Sequence, residues 1–375
     1  MSNTLALRNV PFFNYPHVFT SQEAELLSVI SDVGRRGAFI MQRDLEEFER
    51  NLAAYVGARY VVGMANATDA LHLALRAAGI GEGDEVVFSS HTMVATAAAI
   101  HFAGATPVPV DCGPDHLIDP ACVEAAITPR TKAIMPTQLN GRTADMDALG
   151  AVAARHGLVI VEDAAQALGS RFKGRAAGTF GLAGAISFYP AKTLGCLGDG
   201  GCVMTDDGDV REKLLLLRDH GRDAATGDVV LWGINSRLDN LQAAILNHKL
   251  KTYDRAVARR REFAAMYQDR LGGLPQLRLP PAPGSEPDHF DIFQNYEIEA
   301  LRRDALRLFL KEHSVGTLIQ WGGKAVHQFP KLGFTQRLPA TDELFTRLLM
   351  LPMNTSLADE DVNYVCDCIV AFYNS

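Results

Sequence analysis

Short apolar runs alternate with helical patterns from about residue 20 to residue 220, and this alternation constrains the fold more than any other feature. The apolar runs are residues 85–89, 106–111, 132–136, 158–163, 183–189 and 201–205. Apolar residues recur at helical spacing in 21–33, 44–55 and 68–78. Short continuous apolar runs are typical of parallel strands that helices cover on both faces. The sequence therefore predicts an α/β protein with a large, doubly wound, mostly parallel sheet.

A different pattern occupies the last third of the chain. The proline-dense stretch 279–287 is short, so we interpret it as a surface connection. The elements expected around it are a helix at 240–271, a strand at 295–300, a helix at 303–313 and a strand at 316–321. We predict a large domain over residues 1–250, N-terminal segment included, and a small C-terminal α+β domain over 251–375.

Composition excludes several classes of protein. The chain is 47% hydrophobic and 21% charged with a net charge of −8, so no overall field attracts it to nucleic acid or to an anionic membrane. The six cysteines are scattered, and the one close pair, Cys366 and Cys368, lacks the partner spacing of a zinc site. We expect no metal, no membrane segment, reduced cysteines and a cytoplasmic location.

Lys192 and Asp163 are the residues whose positions indicate chemistry. Lys192 lies between an apolar run and the tight turn at 198–201, and a desolvated lysine has a lowered pKa. Asp163 ends the apolar run 157–163. Pyridoxal phosphate enzymes need both groups, an acid that keeps the pyridine nitrogen protonated and a lysine that forms a Schiff base. Alone, each residue has a simpler interpretation, a solvated lysine or a helix N-cap, but together they favour the cofactor.

Further residues fit the same cofactor. Backbone N–H groups at a helix N-terminus bind phosphate, and residues 65–69 place small side chains and a hydroxyl where such a helix begins. Ser187 adds a second hydroxyl close to Lys192 in the chain. Gln166, three residues after Asp163, is placed to hydrogen bond the phenolic oxygen of the ring. An exposed helix glutamine is the alternative interpretation.

Four long motifs carry a resemblance to a known family. They are VEDAAQALGS at 161–170, FYPAKTLG at 188–195, GDGG at 198–201 and NSRLDNLQAA at 235–244. With them, essentially the whole chain resembles the DegT/DnrJ/EryC1/StrS sugar aminotransferases, which have fold type I and depend on pyridoxal phosphate. The resemblance implies that Lys192 forms the Schiff base, that Asp163 pairs with the pyridine nitrogen and that Gln166 contacts the cofactor oxygen.

The resemblance also implies roles for the phosphate-binding residues. Ala67, Thr68 and Ser187 are expected to contact the phosphate of the cofactor. An asparagine at the position of Asn235 reaches the phosphate of the neighbouring subunit in this family. The resemblance therefore implies a homodimer with shared active sites.

The chain departs from the family pattern in segments that the resemblance places near the substrate. Met93 stands where an aromatic ring commonly covers the cofactor, and Thr193 follows the lysine where asparagine is usual. Gln138 and Asn140 replace a common histidine and tyrosine, and Trp321 lies in a segment that also differs. These departures bear on which sugar is bound. The cations that we consider for a nucleotide diphosphate are Arg218, Arg237, Lys324 and His327.

The resemblance predicts transfer of an amino group from L-glutamate to a keto group of a sugar. The sugar is expected to be nucleotide-linked, with a slight preference for amination at C3, in amino-sugar biosynthesis such as that of lipopolysaccharide O antigen. Amination at C4 or of a sugar without a nucleotide are the alternatives. Two more remote alternatives are a sugar 3-dehydratase and a regulatory protein that binds the cofactor without turnover. Lys192 argues against the dehydratase, because the family members with that activity have histidine at this position.

Overall fold

The computed structural model of the protein describes residues 8–374. Its strands are β1 (Tyr60–Met64), β2 (Glu85–Ser89), β3 (Thr106–Val110), β4 (Thr131–Met135), β5 (Val159–Asp163), β6 (Arg171–Phe172), β7 (Arg175–Ala176), β8 (Ala183–Ser187), β9 (Gly201–Thr205), β10 (Leu277–Arg278), β11 (His289–Phe290), β12 (Tyr296–Ala300) and β13 (Leu348–Leu351). Its helices are α1 (His17–Thr20), α2 (Glu23–Arg36), α3 (Arg43–Val56), α4 (Ala67–Ala77), α5 (Val94–Phe102), α6 (Pro120–Ala126), α7 (Met146–His156), α8 (Gly208–Leu217), α9 (Asn240–Leu250), α10 (Tyr253–Leu271), α11 (Arg303–Glu312), α12 (Pro339–Arg347) and α13 (Asp359–Asn374).

Seven strands form one large sheet in the order β1-β9-β8-β5-β4-β2-β3. The neighbours β8–β5, β5–β4, β4–β2 and β2–β3 are parallel, whereas β9 runs antiparallel to both β8 and β1. Because six of the seven strands point the same way, their carboxyl ends share one edge of the sheet. The predicted doubly wound, mostly parallel sheet is confirmed.

Apolar side chains cover both faces of this sheet. In β2, Val86 and Phe88 pack into a core that contains α4, α5 and α8, whereas Val87 between them packs against α6 and α7 on the opposite face. Successive side chains of a strand point to opposite faces. The two-sided burial explains why the strands read as continuous apolar runs rather than as alternating ones.

A second core lies around the antiparallel sheet β10-β12-β13, against which α10, α11 and α13 pack. This confirms the small α+β part of the predicted fold. Val10 from the N-terminal segment also lies in this second core and pairs with Val315. The exact division into 1–250 and 251–375 stays a prediction. Within residues 8–374 no helix has the length and apolar character needed to cross a membrane.

Two expected elements differ from the structure. The helix expected over 240–271 is two helices, α9 and α10, because the chain turns at Lys251 and Thr252. The strand expected at 316–321 is wrong. Trp321 and Gly322 have φ values of 54° and 68°, which a strand cannot accommodate, and Leu318 makes only an isolated bridge to Met350.

Candidate active site

Asp163 is the last residue of β5 and is 4% exposed at the carboxyl edge of the large sheet. Its Oδ2 accepts a hydrogen bond of 2.6 Å from Thr96 Oγ1, and its Oδ1 accepts one of 3.2 Å from the backbone N–H of Ala165. Burial raises the pKa of this carboxyl group, and the two hydrogen bonds act in the opposite direction. The second oxygen, with one long contact, is free to accept another donor.

Lys192 lies in the turn that follows β8, the strand that pairs with β5 beside Asp163. The turn is closed by a hydrogen bond of 2.8 Å from the backbone N–H of Lys192 to the carbonyl of Tyr189. Burial lowers the pKa of Lys192 to about 8, against the opposing influence of the Asp163 charge. A substantial fraction of the amine is therefore neutral, and thus nucleophilic, near pH 8.

The side chain of Gln294 holds the backbone on both sides of Lys192. Its Oε1 accepts a hydrogen bond of 2.8 Å from the N–H of Thr193, and its Nε2 donates one of 3.0 Å to the carbonyl of Ala191. Thr193 Oγ1 also lies 2.6 Å from the hydroxyl of Tyr253. Together, these contacts fix the position from which the lysine side chain extends.

The turn before α4 offers unpaired backbone donors. Asn66 caps the helix by accepting a hydrogen bond of 2.8 Å from the N–H of Asp69, whereas no group within residues 8–374 accepts from the N–H of Ala67 or Thr68. A Cβ at Gly201 would lie 2.5 Å from the carbonyl carbon of Asn66, so only glycine allows β9 to pack against this turn. Two free N–H groups at a helix N-terminus are suited to hold a phosphate.

Gln166 and Ser187 lie at the same edge of the sheet. Gln166 Oε1 accepts hydrogen bonds from the N–H of Asn140 at 2.8 Å and from Asn295 Nδ2 at 3.4 Å. Its Nε2 is therefore left as a donor for an acceptor such as a phenolate oxygen. Ser187 Oγ accepts from the N–H of Tyr189 at 3.3 Å, which leaves its hydroxyl hydrogen free to donate.

Met93 and Asn235 are both exposed at the surface. Met93 immediately precedes α5 and is 48% exposed. Asn235 is exposed, whereas the next residue, Ser236, is buried and accepts a hydrogen bond of 3.2 Å from the N–H of Ala65. The loop of Asn235 is thus hydrogen-bonded to the turn before α4, while Asn235 itself is exposed at the surface.

Two of the expected substrate residues lie in the interior. Gln138 is fully buried and donates a hydrogen bond of 2.7 Å to Glu162 Oε2. Arg218 is 5% exposed and donates to Glu49 at 2.7 Å and to the carbonyl of Gly63 at 3.0 Å. Because both side chains already hydrogen bond to groups inside the protein, they are not available to bind a substrate.

The other substrate candidates differ in how free they are. His327 is buried between Ser90 and Asp342, at 2.7 Å and 3.0 Å, so it connects two parts of the fold rather than offering a free cation. Arg237 pairs with Asp219 at 2.9 Å. Asn140 lines a cavity of about 490 Å³, and Trp321 is half-buried. Lys324 is exposed and has no ion pair within residues 8–374.

The residues that hold the site in place carry little recognisable signal in the sequence. Gln294 and Tyr253 are distant from Lys192 in the chain, and no motif connects them to it. Thr96, which donates to Asp163, lies four residues after Thr92. In the sequence, this spacing next to Met93 is the one signal that could have indicated a role for Thr96.

The donor set fits pyridoxal phosphate. The site offers an acid for the pyridine nitrogen, an amide N–H for the phenolic oxygen, two backbone N–H groups for the phosphate and an amine of lowered pKa for the aldehyde. Asp163, Gln166, Ala67, Thr68 and Lys192 would supply these groups.

A family model matches residues 20–370, that of the DegT/DnrJ/EryC1/StrS aminotransferase family. A dTDP-3-amino-3,4,6-trideoxy-alpha-D-glucose transaminase of Streptomyces venezuelae is 40% identical over 98% of this chain and 97% of its own. A protein of Geobacillus stearothermophilus named pleiotropic regulatory protein is also 40% identical, over 97% of this chain and 99% of its own.

Solved structures show the same relationship. DesV of S. venezuelae, in complex with a ketimine intermediate, superposes with a TM-score of 0.94 at 40% identity, covering 98% of this chain and 99% of that chain. NtdA of Bacillus subtilis, with the cofactor PMP bound, has a TM-score of 0.91 at 28% identity, covering 100% of this chain and 87% of that chain.

Proposed function

The chain belongs to the DegT/DnrJ/EryC1/StrS aminotransferase family, and on that basis we propose that it moves an amino group from L-glutamate to C3 of a nucleotide-linked keto sugar. It is a pyridoxal-phosphate-dependent sugar aminotransferase. The glutamate donor, the nucleotide and the carbon are the finer parts of the proposal. The preference for C3 rests on the similarity to relatives whose names specify a 3-amino sugar.

The placement of Asp163 at the end of β5 and of Lys192 in the turn after the neighbouring β8 is the observation on which the proposal most depends. The adjacent strands deliver an amine with a pKa of about 8 and a buried carboxylate to one edge of the sheet. Pyridoxal phosphate, when bound, supplies an aldehyde that captures amines and a ring that stabilises negative charge on the substrate carbon.

The residues of the chain perform the proton transfers and the orientation. In its neutral form, Lys192 Nζ accepts a proton from the reacting carbon of the amino donor and later returns one to the reacting carbon of the sugar. Asp163 keeps a proton on the ring nitrogen through its ionised carboxylate. The amide of Gln166 orients the ring by donating to the phenolic oxygen, and its own position is fixed by Asn140.

The substrate side of the proposal rests on fewer groups. Lys324 is exposed and has no ion pair among residues 8–374, and Arg237 is half-buried beside Asp219. Trp321 has an indole N–H without a partner within residues 8–374. We propose that Lys324 and Arg237 bind the diphosphate and that Asn140 and Trp321 contact the sugar.

We propose a homodimer in which Asn235 reaches the phosphate in the partner's site. The side chain of Asn235 is exposed, and Trp232, Val229 and Val230 in the same loop are 89%, 64% and 57% exposed. Clustered exposed apolar side chains mark an interaction surface. The cytoplasmic location and the role in polysaccharides such as O antigen are proposals that follow from the predicted substrate.

The regulatory alternative without turnover is not favoured, because the other relatives are named transaminases, although one relative carries a regulatory name. The test is addition of L-glutamate to the protein loaded with pyridoxal phosphate. An aminotransferase will convert the cofactor to pyridoxamine phosphate, with loss of the absorbance of the lysine-bound form, and will then aminate a 3-keto nucleotide sugar. A protein that retains the cofactor unchanged with glutamate and other amino acids would refute the proposal.

A further inference from the structure

Three buried threonine hydroxyls form a chain that ends on Asp163. Thr137 Oγ1 donates to Thr92 Oγ1 at 2.9 Å, Thr92 Oγ1 lies 2.8 Å from Thr96 Oγ1, and Thr96 Oγ1 donates to Asp163 Oδ2 at 2.6 Å. None of the three threonines is more than 5% exposed. Thr92 precedes α5, Thr96 lies in α5 and Thr137 follows β4, so the chain crosses three segments of the fold.

The hydrogen bonds of this threonine chain (Thr92, Thr96 and Thr137) have one consistent direction. Each hydroxyl has a single hydrogen, and that of Thr96 goes to Asp163. The hydrogen of Thr92 must then go to Thr96, and that of Thr137 goes to Thr92. All three O–H groups therefore point toward the carboxylate.

The opposite direction is not supported by the surroundings. It would need a protonated Asp163 as the first donor and an acceptor beyond Thr137 as the last. Within residues 8–374, the hydrogen bond to Thr92 is the one that Thr137 Oγ1 makes. Reversal would leave a buried hydroxyl without an acceptor, which is unfavourable. The chain thus favours the ionised form of Asp163.

We propose that Thr96, with Thr92 and Thr137 behind it, is a positioning residue that keeps Asp163 ionised and presents its second oxygen to the cofactor ring. This rests on the proposed function, because it requires that Asp163 face pyridoxal phosphate. Thr96 occupies Oδ2, whereas Oδ1 receives only the 3.2 Å contact from Ala165. Burial alone would push Asp163 toward its neutral form, so an opposing donor is needed.

The experiment measures the affinity for pyridoxal phosphate against pH in the Lys192→Ala background, in which the lysine no longer titrates. Thr96→Val removes the hydroxyl and keeps the shape, Thr96→Ser keeps the hydroxyl, and Thr137→Val removes the far end of the chain. A protonated carboxyl cannot pair with a protonated ring, so affinity will fall as the pH is lowered. In Thr96→Val we expect affinity about tenfold weaker, because a hydrogen bond to a charged group is lost, and a fall that begins at higher pH.

The other variants make the test selective. Thr137→Val should change affinity in the same direction by a smaller factor, and Thr96→Ser should resemble the parent. Equal affinities and pH profiles in all variants of a parent that binds pyridoxal phosphate would overturn the role of the threonine chain alone. Failure of the unmodified protein, with Lys192 present, to bind pyridoxal phosphate would instead refute the proposed function. Should Thr96→Val fail to fold, an unshifted pH profile in Thr137→Val would overturn the proposal.

Discussion

The Gln294 side chain offers a direct test of how Lys192, the proposed Schiff-base lysine, is held. Gln294→Leu keeps a side chain of similar size but removes two hydrogen bonds, to the N–H of Thr193 at 2.8 Å and to the carbonyl of Ala191 at 3.0 Å. At about 1 kcal/mol net for each bond, the free energy of unfolding should fall by about 2 kcal/mol. Because these bonds flank Lys192, the lysine should also lose its alignment with the reacting carbon.

Gln242 provides a matched control. It also makes two backbone hydrogen bonds, both to Leu197, at 2.9 Å and 3.1 Å, but among residues 8–374 it makes none to the residues beside Lys192. Gln242→Leu should therefore cost a similar amount of stability, about 2 kcal/mol. Chemical denaturation monitored by circular dichroism measures this cost in both variants.

Catalysis should separate the two variants. Misplacement of a reacting group by 1 Å can cost about a hundredfold in rate, so we expect kcat of Gln294→Leu to fall by about tenfold or more. Gln242→Leu should keep kcat within about twofold, since it affects the fold but not the lysine. Steady-state kinetics on protein saturated with pyridoxal phosphate provides the comparison. Equal losses of kcat in the two variants would refute the argument that Gln294 positions Lys192.

Three further outcomes are expected. Lys192→Ala should abolish amino transfer and borohydride trapping of the cofactor while the circular dichroism spectrum stays unchanged; retained turnover would contradict the assignment. Gly201→Ala should weaken the affinity for pyridoxal phosphate in equilibrium dialysis, because the new Cβ would lie 2.5 Å from the carbonyl carbon of Asn66 and 2.7 Å from the N–H nitrogen of Ala67. Gly208→Ala, which meets no atom within 4 Å, is its control. The rate at which the cofactor-free protein binds pyridoxal phosphate should rise with pH, with its midpoint near pH 8, because Lys192, with a pKa of about 8, reacts as the neutral amine. A rate that stays constant across this pH range would contradict the lowered pKa.

The sequence was sufficient for the large sheet because burial on both faces gives each strand an uninterrupted apolar run. The strands at 85–89 and 201–205 match β2 and β9 residue for residue. The strand expected at 316–321 failed because the apolar pattern does not reveal the left-handed backbone at Trp321 and Gly322. The break at Lys251 and Thr252 has no proline or glycine to announce it.

For the site, the sequence indicated the residues that lie in long motifs. The structure brings Asp163 and Lys192 to the same edge of the sheet, and their chemical types together with their positions after two apolar runs had suggested that they act together. Positive charge alone did not identify substrate-binding residues, because burial cannot be judged from it. Arg218, for example, is buried and donates a hydrogen bond to Glu49. The supporting Gln294 could not be found, because a contact across about a hundred residues depends on how the two cores pack together.

The helix α10 belongs to both cores of the molecule. Its first turns, with Tyr253 and Val257, pack beneath the large sheet, whereas Phe263, Ala264 and Tyr267 pack around the smaller one. Neither core can unfold without displacing this shared helix from the other. The two cores should therefore unfold cooperatively under heat or denaturant. The turn that contains Lys192 is joined to the same helix by the hydrogen bond between Thr193 and Tyr253. This turn should therefore keep its conformation for as long as both cores stay folded.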